Sequence, residues 1–424
     1  MRTTGLPARK AAHSLLMQIT TEGRLMAELI TAGALSDLAP EDRARAQRLA
    51  ADTLRGLDRA DRMLKPYLKK APPPHVMNAL RLGTTELCAG EAAHGVVNAI
   101  VEIVSRNKRT QSMKGLTNAV LRKIAAEGPE GWNARAVPLL PGWLRQPLVA
   151  AWGRQTVSAM EAAHFASAPL DLTAKADPDA VAKATGGVVL PNGSIRVADA
   201  GQVSELAGYA DGSWWVQDAA AAMPVKMLGD VAGLNIVDLC AAPGGKTMQL
   251  AAGGAQVTAV DLSKRRMARV AENLQRTGLQ AELVVADALA FDSGQRDVVV
   301  LDAPCSATGT IRRHPDLPYA KDGAEFGDLM ALQEQMIDHA VGLIKPGGRL
   351  LYCTCSLLPD EGEVQVEDAL ARHANLTVER DAITGPGIAP DWVTDDGGLR
   401  LRPDYWSDQG GMDGFYIAVL RKAA

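Results

Sequence analysis

Five cysteines in 424 residues, an odd number at irregular spacing, are too few for a disulfide framework, and the thiols are read as reduced. No stretch approaches the roughly 18 to 20 uninterrupted apolar residues of a membrane span. The opening Met1-Arg2-Thr3-Thr4-Gly5-Leu6-Pro7 lacks an apolar signal core. A cytoplasmic protein with no membrane partner is the expectation. Internal repeats and low-complexity tracts are missing as well, which excludes solenoids and repeat arrays. Positive charge is also short: 45 Lys+Arg against 49 Asp+Glu leave a formal net charge of -4, the wrong sign for a nucleic-acid binder.

What is present changes that last reading. Residues 1–130 hold 20 Lys+Arg against 13 Asp+Glu, so the remainder holds 25 against 36. A basic module precedes an acidic one. The densest basic run is Arg106-Asn107-Lys108-Arg109 with Lys114, then Arg122-Lys123; alone it fits a solvated helix end as well as an RNA contact. Within 1–130 apolar residues recur at helical spacing, as in Leu15, Leu16, Ile19 and Val96, Val97, Ile100, Val101, Val104, and Pro40 suits the first turn of a helix. These residues predict an all-helical domain. A Pro/Gly-rich boundary at 127–142 and a helical stretch from Trp143 to His164 follow. Residues 138–215 are expected to hold these linker helices and a small α+β subdomain with strands at Leu170-Ala174 and Ser194-Val197.

From 216 to 424 the pattern becomes strand, loop, helix, repeated. Apolar runs at Ile236-Leu239, Val257-Val260, Leu283-Ala286, Val298-Leu301 and Arg349-Tyr352 predict a doubly wound parallel α/β sheet, completed by Phe415-Leu420. Ligands of such sheets bind beyond the carboxyl ends of the strands. The first run leads into Cys240-Ala241-Ala242-Pro243-Gly244-Gly245-Lys246-Thr247, whose glycines let a ligand approach the backbone. This turn is not a P-loop, which needs Gly where Cys240 stands, and it lacks the Gly-x-Gly-x-x-Gly order of dinucleotide folds. Asp261, Asp287 and Asp302 end successive runs. An acidic rim disfavours a polyphosphate and suits a ligand with a cationic centre and ribose hydroxyls, such as S-adenosylmethionine, with Asp261 the expected ribose partner.

Two cysteines close apolar runs: Cys305 in Asp302-Ala303-Pro304-Cys305-Ser306 and Cys355 in Thr354-Cys355-Ser356. Each alone is as readily an ordinary buried cysteine. Together at one rim they suit covalent group transfer. If a methyl goes to C5 of a cytosine, a thiolate must first add to C6 to make C5 nucleophilic, and a second group must assist release; two thiols fill those two roles. Cys353 is expected to pack inside the strand. No metal is expected.

At these residues the chain resembles the NOL1/NOP2/Sun family of RNA cytosine-C5 methyltransferases. The glycine turn is similar to the family's cofactor loop, and the Cys305 and Cys355 segments to its two cysteine motifs. The resemblance implies that Cys355 is the nucleophile, that Cys305 assists proton removal or release, and that Asp261, Asp287 and Asp302 line the pocket. It further implies a Rossmann-like S-adenosylmethionine-dependent domain behind a NusB-like RNA-binding domain and an RRM-like subdomain. Thr308-Gly309-Thr310-Ile311-Arg312-Arg313-His314-Pro315-Asp316 resembles the branch acting on small-subunit (16S) ribosomal RNA, and Arg312, Arg313 and His314 are then expected to face that RNA. The target cytosine should be unpaired or flipped out, since a duplex hides C5 and C6. A monomer is expected. Alternatives are another RNA substrate, a non-catalytic NusB-like factor, and a DNA cytosine methyltransferase in which Cys305 attacks.

Overall fold

In a computed structural model, which describes residues 5–198, 200–292 and 294–424, the apolar positions at helical spacing are the ones that meet in a core. Residues 1–4, part of the opening segment read as free of a signal core, lie outside the described residues. Contacts divide the chain into two units, Met1–Ala166 with Ile311–Gly323, and Ser167–Thr310 with Ala324–Ala424.

The first unit is helical, built on Leu6–Glu22, Met26–Thr31, Pro40–Arg55, Leu57–Leu64, Pro74–Cys88, Ala93–Arg106, Lys114–Asn133, Gly142–Trp152 and Arg154–Ala166. Leu15, Leu16, Ile19, Val96, Val97, Ile100 and Val104 are all buried in one cluster with Leu80, Leu121 and Ile124. Each such side chain contributes about 1.5–3 kcal/mol through burial. Pro40 occupies the first turn of its helix, with Glu41 and Asp42 at the amino end and Arg55 in the last turn, the arrangement that complements the helix dipole. The expected break at 127–142 is partly helical. Gly128, at φ 55°, kinks the chain and Pro129 restarts a helix that runs on to Asn133. Gly153, at φ 79°, divides the stretch 143–164 into two helices.

The sequence pattern assigns residues Ile311–Gly323 to the α/β segment, yet by contacts they belong to the helical unit. Asp316 Oδ2 accepts from Met26 N–H at 2.8 Å, the Trp143 indole donates to Pro318 O at 3.0 Å, and Tyr319 and Ala320 pack on the helical core.

The second unit contains two sheets. Strands β1 (Leu170–Ala174), β2 (Val188–Val189), β3 (Ile195–Val197) and β4 (Trp214–Val216) form an antiparallel sheet in the order β2-β3-β1-β4, covered by helix Pro178–Thr185. The larger sheet comprises β5 (Asn235–Leu239), β6 (Gln256–Asp261), β7 (Glu282–Val285), β8 (Arg296–Asp302), β9 (Ile344–Thr354), β10 (Leu376–Val378), β11 (Leu399–Leu401) and β12 (Phe415–Lys422). Its order is β10-β12-β9-β8-β5-β6-β7, with β11 also on β12. The five strands from β9 to β7 are parallel, as expected. Strand β12 is antiparallel to β9, so the sheet is mixed rather than wholly parallel. Chain order reverses between β8 and β5, the switch point at which such sheets bind ligands. Among the described residues no helix is long and apolar enough to cross a membrane.

The small sheet is anchored to the large one at the end of helix Lys264–Thr277: Lys175 Nζ donates to Thr277 O at 2.6 Å, and Arg276 Nη1 to Tyr209 O and Trp214 O at 2.9 and 3.0 Å. Gly212, at φ 66°, passes so close that a Cβ would lie 2.0 Å from Arg276 O. Gly212→Ala is therefore expected to cost about 2–3 kcal/mol or more in urea unfolding. Gly229→Ala, at the same φ but in open space, should cost about 1 kcal/mol. Equal costs would contradict the steric reading.

Candidate active site

The loop after β5 turns sharply because Cys240 (φ 62°) and Gly244 (φ 102°) both adopt left-handed backbone; the second would strain any other residue. Gly245 opens helix Gly245–Ala252, and a Cβ there would press on the Gln217 amide at 3.2 Å. The loop is thus a bare-backbone cradle facing the carboxyl ends of β5 and β6. Beneath it Asp238 is fully buried; its Oδ2 accepts from Thr247 Oγ1 at 2.6 Å, while its Oδ1 has no protein partner. Burial pushes the Asp238 carboxyl up to about 7, against the pull of Thr247 and Lys246. Lys246 Nζ pairs with Asp302 Oδ2 at 2.8 Å. Burial lowers the Lys246 pKa, but Asp302, Cys353 and Asp238 together more than offset it and hold it above the ordinary lysine value. Asp261 is buried; Oδ2 accepts from Ala242 N–H at 3.1 Å and pairs with Arg266 Nη1 at 3.4 Å, and Oδ1 accepts from Ser263 N–H at 2.9 Å, leaving Oδ1 further acceptor capacity. Asp287 lies exposed two residues beyond β7, its Oδ1 taken by Leu289 N–H at 3.0 Å.

Strands β8 and β9 run side by side with Asp302 opposite Cys353. The loops that follow bring the two candidate thiols together, Cys305 Sγ and Cys355 Sγ lying 3.5 Å apart. The hydrogen bond with Cys355, then burial, then the Cys355 and Glu361 charges all raise the Cys305 pKa, so this thiol keeps its proton. Cys353 is fully buried, with Sγ 3.5 Å from Asp302 Oδ1, and burial likewise holds it neutral. Burial and the surrounding aspartates push Cys240 up to about 12.

The loop carrying Cys305 is clasped from outside. Gly309 N–H donates to Cys355 O at 2.9 Å, and Gly414 N–H donates to Gly309 O at 2.8 Å. A Cβ on Gly309 would stand 2.1 Å from Gly414 O, so only glycine permits the contact. Arg400 donates to Ser356 O and pairs with Glu363. The small sheet reaches the same clasp. Arg196 pairs with Asp171 and donates to Gln409 O at 2.7 Å, and Asp218 Oδ1 accepts from Asp413 N–H at 3.1 Å.

The structure therefore brings together the loop Cys240–Lys246, Asp261, Asp302, Cys305 and Cys355 at one end of one sheet. Arg312, Arg313 and His314 belong to the other unit. Arg312 is expected from sequence to face RNA, but its side chain is fully buried, in a segment where Ile311, Pro315, Asp316 and Leu317 are buried as well. Arg55 Nη2 donates to its carbonyl at 3.2 Å. Arg313 and His314 are exposed. Sequence reasoning missed Glu361, Gln333 and Arg400, polar residues whose burial no local pattern announces. A hollow of about 740 Å³ beside Asn235, Gln256, Glu282 and Arg296 lies at the amino-terminal ends of the strands, opposite the thiols. Among the described residues no three His, Cys, Asp or Glu side chains are grouped to hold a metal.

Because Asp238 binds its proton more tightly folded than unfolded, its stabilising contribution is fully present below the unfolded value near 3.8 and is lost as pH rises toward 7. Urea unfolding of Asp238→Asn against the parent from pH 4 to 8 should show the variant gaining relative stability up to about pH 7 and no further. A constant difference across that range would contradict the assignment.

Comparison with known proteins bears on the same residues. The family described as 16S rRNA methyltransferase RsmB/F matches residues 225–421, and the NusB family matches residues 6–126. A ribosomal RNA small subunit methyltransferase B from Erwinia tasmaniensis is 34% identical over 445 residues, covering 98% of both chains. The Vibrio cholerae protein of the same name is 33% identical over 444 residues, covering 98% of this chain and 97% of its own. The crystal structure of PH0851 superposes with a TM-score of 0.76 at 22% identity, over 100% of this chain and 99% of that one, which shows a shared fold. The chain belongs to the RsmB/F family of 16S rRNA methyltransferases, with a helical NusB-family domain in front of its Rossmann-like domain.

Proposed function

We propose that the protein methylates C5 of a cytosine in 16S ribosomal RNA, with S-adenosylmethionine as cofactor, through a covalent bond between Cys355 and C6 of the base. The observation that supports this reading most directly is the 3.5 Å separation of two reduced thiols beyond adjacent parallel strands, beside a bare-backbone cradle.

The cradle suits the cofactor. Gly244 and Gly245 leave room for close approach, the unpartnered Oδ1 of Asp238 is a spare acceptor, and Asp261 retains capacity for ribose hydroxyls. Asp287, exposed past β7, and Asp302, paired with Lys246, flank the same rim. S-adenosylmethionine supplies an electrophilic methyl on a sulfonium when bound. Cys355, as thiolate, adds to C6 and makes C5 an enamine carbon able to take that methyl. Cys305 gives its proton to the departing Cys355 sulfur and takes up the C5 proton in its place, which restores the C5–C6 double bond as the C6–S bond breaks. Cys305, held neutral 3.5 Å away, is placed to protonate or exchange protons with that departing sulfur.

The basic residues of 1–130 supply an electrostatic footprint for ribosomal RNA, and Arg313 and His314 remain as exposed contacts for the strand carrying an unpaired or flipped cytosine. Both thiols and the cradle come from one chain, so the chemistry needs no second copy and a monomer suffices. Few cysteines without a disulfide framework suit a cytoplasmic enzyme.

Cys355→Ala is expected to lose methylation of small-subunit RNA and every covalent complex. Cys305→Ala should accumulate protein covalently attached to RNA, seen as an SDS-resistant band that needs S-adenosylmethionine. The reverse pattern would exchange the two roles, and no band with either variant would overturn covalent catalysis.

A further inference from the structure

Glu361 lies in the polar turn Pro359-Asp360-Glu361 after the second cysteine loop, where sequence pattern predicts solvent exposure. Instead it is buried, 1% exposed, directly behind the two thiols. Its carboxylate accepts four hydrogen bonds. Oε1 takes the backbone N–H of Ser306 at 2.8 Å and the Gln333 amide at 3.0 Å; Oε2 takes the hydroxyls of Ser306 and Ser356. Ser306 and Ser356 immediately follow Cys305 and Cys355. One carboxylate therefore bridges the residues next to both thiols.

The rest of the residue tightens the same bridge. The backbone carbonyl of Glu361 accepts from Tyr352 OH and Thr354 Oγ1, both at 2.9 Å, which ties it to the end of β9 just before Cys355. The amide of Gln333, in helix Phe326–Leu343, also donates to Pro304 O at 2.8 Å, just before Cys305. Each cysteine is thus held on both flanks, and all four restraints converge on Glu361 or on the side chain bound to it. A buried carboxylate is expensive unless its hydrogen-bonding capacity is met. Four donors meet it here.

We propose that Glu361 is the positioning residue of the active site, a buried carboxylate that sets the distance between Cys305 and Cys355 and so makes release of the nucleophile possible. The proposal rests on the covalent reading above for its catalytic consequence, though the thiol geometry it invokes is independent of that reading. Glu361 touches neither thiol in the described contacts; it acts through Ser306 and Ser356. A mere stabiliser would affect folding and leave the thiol pair alone.

The experiment compares the full-length parent with Glu361→Gln and Glu361→Ala. Glutamine keeps the shape and one accepting oxygen, so that variant is the one expected to fold if alanine does not; thermal unfolding checks both. In the folded variants kcat for methylation of small-subunit RNA should fall at least tenfold with glutamine, and further with alanine, while KM for RNA and for S-adenosylmethionine stays within twofold. Separately, a diazene dicarboxamide oxidant takes two electrons and two protons from a thiol pair to form a disulfide. The rate of forming the Cys305–Cys355 disulfide, identified by peptide mass spectrometry, should drop at least tenfold in the variants. Unchanged kcat, a loss carried by KM alone, or an unchanged pairing rate in a folded variant would overturn the proposal. An inactive parent whose pairing rate still depends on Glu361 would instead count against the methylation reading.

Discussion

Asp302 of β8 lies opposite Cys353 of β9, and a slip of one residue in that parallel register would turn every side chain of β9 to the other face of the sheet. The register is specified by burial on both faces. Val298, Val300, Leu351 and Cys353 enter one core, while Val299, Leu301, Leu350 and Tyr352 enter the other. With the strands so fixed, the loops to Cys305 and Cys355 are only a few residues long and leave the sheet at the same height. The 3.5 Å contact between the thiols follows from that shortness, and the backbone bonds through Gly309 and Gly414 prevent either loop from swinging away.

The same arrangement separates two electrostatic environments. On the cofactor side Lys246, Asp302 and Asp238 form a buried charged group beneath a glycine turn. On the thiol side the carboxylate of Glu361 is met by neutral donors, two hydroxyls, an amide and a backbone N–H. The hydrogen bond with Cys355, burial and the Cys355 charge raise the Cys305 pKa, and the Glu361 charge adds to them in the same direction.

Much of this was legible in the chain. Runs of β-branched residues marked β5, β6, β8 and β9 within a residue or a few at each end, the helical periodicity of residues 8–126 marked a real core, and residues just past the strands held the candidate site. Three features were not readable, each for a physical reason. Strands β10 and β11 are three residues long, too short to show alternation, and exist because β12 offers them an edge. The segment 311–323 carries prolines and polar residues that look like an ordinary loop, and only distant partners, the helical core under Tyr319 and Ala320 and the bonds from Met26 and Trp143, explain why it leaves the α/β unit. Glu361 reads as a solvated turn residue, since its burial depends on donors from three separate stretches of sequence, at Ser306, at Gln333 and at 352–356. Local pattern encodes which face of an element is apolar; it does not encode which distant donors will gather round a carboxylate.

The account stands on one chemical claim, that carbon 5 of a cytosine in 16S ribosomal RNA receives the methyl group. Incubation of the protein with unmodified small-subunit RNA and methyl-labelled S-adenosylmethionine, followed by digestion to nucleosides and mass spectrometry, measures this directly. The account predicts label in 5-methylcytidine and its loss when Cys355 is replaced. Label in any other nucleoside, or 5-methylcytidine formed undiminished without Cys355, would contradict it.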